Sequence, residues 1–247
     1  MRFALVGAGL TCKQLTPEAL EVIRTYEEVY ADLYTSIYEG GLLECLRRHR
    51  TDVKPAYRSD LESDFLSDKR DVALVVAGDP LAATTHSSLL LDALERGYEA
   101  KVVPGISALQ VARTKSGLSQ YRFGRVVTMM YPREGINFSE SVYLAIKDND
   151  ELNLHTIVLL ETGYDRSMKV SEAARLLLEE SERKGDSTMK DRMVIAMARL
   201  CWESEEIRLV TLEEAAKLDL GEPPHLMVFP SPKLHPIEEE LIRKWFR

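Results

Sequence analysis

Three short loops carry the residue types best suited to chemistry. The richest is Gly78-Asp79-Pro80-Leu81-Ala82-Ala83-Thr84-Thr85-His86. It follows a continuous apolar run, residues 72–77, of the kind that forms a strand buried on both faces. Loops at the carboxyl ends of such strands are where open α/β sheets bind ligands. Pro80 stiffens the loop, and Asp79 either offers a carboxylate to a ligand or caps the next helix. The second loop, Pro104-Gly105-Ile106-Ser107-Ala108, ends the next strand in the same way. Side by side, two such loops make a floor of backbone groups suited to an adenosyl or nucleotide ligand. The third, Gly7-Ala8-Gly9, follows the first strand. Its glycines permit close backbone approach, but a dinucleotide fingerprint would want a glycine where Cys12 stands. Two glycines alone fit a structural tight turn better than a nicotinamide site.

Other chemistries lack their signatures. The chain has no phosphate-binding GxxxxGKS/T loop and no GxSxG nucleophile elbow. Its five histidines, His49, His86, His155, His225 and His235, show no metal-ligand spacing, so no metal is expected. The three cysteines, Cys12, Cys45 and Cys201, form no CxxC pair, and three reduced thiols are expected. A formal net charge of -8 over 247 residues argues against nucleic acid as the main partner. Arg113, Lys115, Arg122 and Arg125 form a basic stretch that either steers an acidic partner or is simply solvated. No apolar run reaches membrane-spanning length, and a cytoplasmic location is expected.

The elements that must hold these loops can be read from periodicity and punctuation. Strands are expected over 3–6, 29–31, 72–77 and 101–103, and helices from Pro17 and over 39–48, 87–96 and 106–115. Thr16 suits the N-cap and Pro17 the first helical position. This alternation predicts a doubly wound, parallel sheet. Beyond Gly124 the strands are expected over 126–130, 156–160, 193–198, 207–210 and 226–229, with helices over 139–147, 171–183, 212–218 and 236–246. The short step from 198 to 207 suggests an antiparallel hairpin. The polar segment 184–192 reads as a mobile loop. The fold class is therefore α/β, in two α/β domains: residues 1–118 with a mostly parallel sheet, residues 119–247 with a mixed one.

Together the loops resemble the tetrapyrrole methylase superfamily, and within it the branch that acts in diphthamide biosynthesis. The resemblance rests on Leu5-Val6-Gly7-Ala8-Gly9-Leu10, Tyr34-Thr35-Ser36, residues 78–86, Tyr121-Arg122-Phe123-Gly124, Tyr131-Pro132, Leu154-His155-Thr156, Pro223-Pro224-His225 and Lys233-Leu234-His235. It implies a tetrapyrrole methylase-like fold, a homodimer, and S-adenosylmethionine in the cleft between the domains, leaving S-adenosylhomocysteine as product. It implies successive methylation of a modified histidine on translation elongation factor 2. Carried over by position, the donor-binding residues are Leu10, Asp79, Ala82, Gly105, Ile106, Leu160, Met197, Ala198 and His225. No catalytic base follows from it, though Asp79 and His86 are near enough to the donor loop to be considered. Gly105 departs from the serine usual in this branch. Two other functions fit part of the pattern: a corrin or porphyrin C-methyltransferase, and a SAM-binding regulatory protein without turnover.

Overall fold

A computed structural model describes residues 1–68, 71–163 and 166–246. The chain divides into two compact units, Met1–Ala108 and Leu109–Arg247. The division falls ahead of the 118/119 boundary expected from composition.

The first unit contains β1 (Arg2–Gly7), α1 (Pro17–Thr25), β2 (Glu28–Asp32), α2 (Leu42–Arg47), β3 (Lys54–Ala56), α3 (Arg58–Leu61), β4 (Asp71–Val76), α4 (Ser87–Glu95) and β5 (Glu99–Val103). Its strands lie in the order β3-β2-β4-β1-β5, and every pair is parallel. Sheet faces alternate along each strand. Phe3 and Leu5 join Val72, Leu74 and Val76 in one core, while Ala4 and Val6 join Ala73 and Val75 in the other. Two buried faces are the reason β1 after Arg2 and β4 after Asp71 are continuously apolar rather than alternating. The Thr16 side chain accepts a hydrogen bond from the Ala19 N–H, 3.1 Å, and so starts α1 as the sequence suggested. Strand β3 and helix α3 are too short to leave a periodic signature and were not anticipated.

One expectation fails here. Cys12 and Cys45 are joined in a disulfide, with 5.7 Å between their Cα atoms, and only Cys201 is free. The pairing links the turn after β1 to α2. Thirty-three residues separate the two cysteines, so no local spacing announces them; the sheet brings them together.

The second unit opens with helix α5 (Ala108–Lys115), whose first residue closes the first unit. It continues with β6 (Val127–Met129), α6 (Phe138–Glu151), β7 (Thr156–Leu160), α7 (Val170–Arg183), β8 (Met193–Ala198), β9 (Glu206–Thr211), α8 (Leu212–Ala215), β10 (His225–Phe229) and α9 (Pro236–Trp245). The strand order is β6-β7-β10-β8-β9. Strands β6 and β7 run parallel and the remaining pairs antiparallel, including the expected β8–β9 hairpin. Helices α6 and α7 bury Val142, Ile146, Ala173 and Leu177 in one core with Met129, Val158, Ala196 and Met227.

Segment 184–192, expected to be mobile, is tied down. Met189 is buried in the core. Asp186 accepts hydrogen bonds from the Thr188 N–H and hydroxyl, the Tyr143 hydroxyl and Lys147. Among the described residues no helix is long and apolar enough to cross a membrane.

Candidate functional site

In the first unit the three loops meet at the carboxyl ends of β1, β4 and β5. Gly9 and Gly78 exchange backbone hydrogen bonds, 3.1 and 2.7 Å. Asp79 joins the other pair: its Oδ2 accepts the Gly105 N–H at 3.2 Å, and its Oδ1 accepts the Leu81 N–H at 3.0 Å. Thus Asp79 shapes its own turn and holds the Gly105 loop against it. The glycines are required by space. A Cβ on Gly7 would lie 2.4 Å from Gly105 N, and one on Gly105 would lie 2.1 Å from the Gly78 carbonyl oxygen. The absence of the usual serine at Gly105 therefore follows from backbone contact, since no side chain fits there without moving Gly7 and Gly78.

Leu10 stands beside this floor, its N–H bonded to Gln14 Oε1 at 2.7 Å. Leu81 and Ile106 are exposed large apolar side chains on the other two loops, and Ala82 is half-buried between Leu81 and Ala83. The rim is thus apolar and the floor is polar backbone. Such a surface suits a ligand that is part flat ring and part polar chain. The Tyr38 hydroxyl donates to the Ala8 carbonyl at 3.1 Å and lies 3.9 Å from Cys45 Sγ. Burial raises its pKa, so it stays protonated as that donor.

A second group stands at the end of β2, next to β4. Asp32 is buried, accepts the Tyr34 and Thr35 N–H groups at 2.7 and 3.1 Å, and accepts a hydrogen bond from the Thr35 hydroxyl. His86 Nε2 lies 3.0 Å from Asp32 Oδ2. Burial alone would raise the Asp32 pKa, but His86, the Thr35 hydroxyl and the Tyr34 N–H outweigh it and hold the carboxyl below its ordinary value. Sequence reading singled out His86 and Thr35 within motif strings but missed Asp32. Only the parallel pairing of β2 with β4 places the two side chains together.

The second-unit residues also share one place. His225 pairs with Ala198 and Leu226 with Met197 across the sheet, while Leu226 pairs with Leu159, next to Leu160. The side chains of Leu160, Met197, Ala198, His225 and Leu226 are buried. Both His225 nitrogens are engaged: Nδ1 accepts the Val170 N–H at 3.2 Å, and Nε2–H donates to the Glu222 carbonyl at 3.2 Å. Burial, with nearby Arg199, pushes its pKa down to about 4, so the ring is neutral at physiological pH. The preceding Pro223–Pro224 bond is cis.

Two of the four basic residues considered for steering are committed inside the unit. Arg122 is bonded to Glu238, Ser231 Oγ and the Asn153 and Lys233 carbonyls. Lys115 is paired with Glu205 at 2.6 Å. His155, fully buried, donates from Nε2 to Glu238 at 3.0 Å and accepts the Ser231 N–H at Nδ1. A cavity of about 380 Å³ lies beside this network, among Leu118, Arg122, Ile237 and Glu238. It contains none of the expected site residues. Among the described residues no cluster of histidine, cysteine or acidic side chains could hold a metal.

The chain is similar to known proteins. The family described as Tetrapyrrole (Corrin/Porphyrin) Methylases matches residues 2–216. The diphthine synthase of Methanopyrus kandleri is 38% identical, covering 97% of this chain and 94% of its own. That of Saccharolobus solfataricus is 37% identical over 98% of this chain and 97% of its own. A crystal structure of diphthine synthase superposes with a TM-score of 0.88 at 30% identity, covering 99% of this chain and 96% of that one.

Proposed function

Since the chain belongs to the tetrapyrrole methylase family, we infer that it works as a diphthine synthase, a SAM-dependent methyltransferase. It methylates the modified histidine of translation elongation factor 2, a step of diphthamide biosynthesis. The observation that carries this reading is the meeting of Gly7, Gly78 and Gly105, locked by Asp79, in a chain similar to diphthine synthases over nearly its full length. The same family includes corrin and porphyrin methylases, but the relatives from Methanopyrus kandleri and Saccharolobus solfataricus bear the diphthine synthase name.

The donor would be held in the first unit by Leu10, Asp79, Ala82, Gly105 and Ile106; for Leu160, Met197, Ala198 and His225 of the second unit a donor-binding role is supported by the family resemblance alone. The residues fit the group. The apolar Leu10, Leu81 and Ile106 suit an adenine ring, and the backbone of the glycine floor suits its polar sugar and chain. When bound, the donor supplies an electrophilic methyl on a sulfonium, so the protein's own task is to bind, align and exclude water. His225 has both nitrogens engaged, so its contribution comes from its backbone or from holding residues 222–225 in place. We place the enzyme in the cytoplasm with its elongation factor, as a homodimer; the Cys12–Cys45 disulfide does not exclude this, since intracellular proteins of hyperthermophiles carry disulfides.

The test uses elongation factor 2 purified from cells lacking this protein, incubated with labelled donor. Label on the modified histidine supports the reading. Donor binding without transfer would favour a regulatory role, and label transferred only to a precorrin would favour the C-methyltransferase.

A further inference from the structure

We propose that His86 is the base that takes the proton from the acceptor amine, with Asp32 and Thr35 as its positioning residues. The proposal rests on the methyltransferase reading above and names a group which that reading leaves open.

Three observations carry it. First, Asp32 is saturated by local donors and faces His86 Nε2 at 3.0 Å, with Thr35 Oγ1 3.4 Å from the same nitrogen. A carboxylate that can only accept places the proton on Nε2 and leaves the lone pair on Nδ1. Second, His86 Nδ1 is closed to solvent and has no hydrogen-bond partner among the described residues, although His86 as a whole is 4% exposed. Buried polar atoms are nearly always paired, and an exception needs an explanation, a catalytic role being one. Third, the position is apt. His86 ends the run that begins with Asp79, and Asp32 ends β2, beside β4. Both therefore lie at the same sheet edge as the glycine floor. The run between them is bent at Ala83, a non-glycine residue at φ 58°, and its Leu81, Ala83 and Thr85 are exposed.

The chemistry balances. An ammonium acceptor has no lone pair, so its N–H bond must break first, with the proton moving to Nδ1. The Asp32 carboxylate then stabilises the imidazolium. The freed nitrogen pair forms the new N–C bond to the methyl carbon as the C–S bond breaks, its electrons staying on sulfur. The sulfonium becomes a neutral thioether, the product is a methylated ammonium, and Nδ1 gives its proton to water that enters as the product departs, before the next cycle. Asp79 cannot serve in this role, because both its oxygens already accept backbone N–H groups.

The test compares the parent with His86→Ala and Asp32→Asn, reading donor affinity by calorimetry, melting temperature, and methyl transfer to elongation factor 2. His86→Ala is expected to bind donor within twofold of the parent and to transfer about 10²–10⁴-fold more slowly. Added imidazoles should restore its rate in order of their basicity, which a merely space-filling role would not produce. Asp32→Asn, whose amide can donate to Nε2 and move the ring proton to Nδ1, is expected to lose rate similarly while keeping donor affinity; it serves if His86→Ala fails to fold. Parental rates in the folded variants, or rescue independent of imidazole basicity, overturn the proposal alone. No transfer by the parent overturns the methyltransferase reading and this proposal with it.

Discussion

Gly105 illustrates how one residue's environment can reverse an argument from resemblance. The lack of the usual serine there looks like a hydrogen bond lost, yet a Cβ would sit 2.1 Å from the Gly78 carbonyl oxygen. Gly105→Ser is therefore expected to lower stability by about 1–3 kcal/mol, the usual cost of overpacking, and to weaken donor binding by displacing the floor. Urea unfolding and donor calorimetry on the same variant check both. His225 supplies a pH effect. Its pKa falls to about 4 on folding through burial and Arg199, against about 6.5 when unfolded. Between these values the unfolded chain binds more protons, so stability rises with pH across that window. The contribution, roughly 3 kcal/mol, is complete above the window and is lost as pH falls through it. Urea midpoints at several pH values should show a shallower acid slope for His225→Gln than for the parent.

Among the elements, α2 depends most on tertiary linkage. It is only six residues long, too short to hold itself together, and buries Leu42, Leu43, Cys45 and Leu46. The Cys12–Cys45 bond ties it to the turn after β1, beside Leu10, and Tyr38 reinforces the link through Ala8. Closing a chain segment of this length is worth about 3–4 kcal/mol. The double variant Cys12→Ser, Cys45→Ser should lose about that much, read from urea unfolding, and dithiothreitol should destabilise the parent but not the variant. Helix α9 shows a different anchorage. Glu238, on its first turn, receives His155, Arg122 and the Ser119 N–H. Burial works against its charge, but the His235 and Ser119 N–H groups and His155 prevail and keep its pKa low. Arg122 is thus a fastening of α9 and not a free steering charge.

At the scale of the molecule, assembly is the open quantity. Helix α9 leaves Ile237, Leu241 and Trp245 exposed, at the spacing of one helical face. An apolar stripe of this kind is compatible with the homodimer we propose. Static light scattering at micromolar concentration is expected to give twice the 28.0 kDa of one chain; a single-chain mass would count against it.

The sequence by itself determined the kind of each sheet. Continuous apolar runs at 72–77, ended by Gly78 and Pro80, and at 193–198 marked strands, and the alternation before Gly117 marked a parallel sheet. It also marked the loops at 78–86 and 104–108, because glycine and proline act locally on φ and ψ. What it could not reveal were partnerships between distant segments. Asp32 meets His86 only because β2 lies beside β4, and Cys12 meets Cys45 only because α2 packs against the turn after β1. Arg122 looked like a surface charge until α9 brought Glu238 to it. Nor could spacing tell that Asp79 holds Gly105. Periodicity reports which face of one element is buried, whereas strand order decides which side chains share an edge. The chemistry of this protein is assembled at such edges.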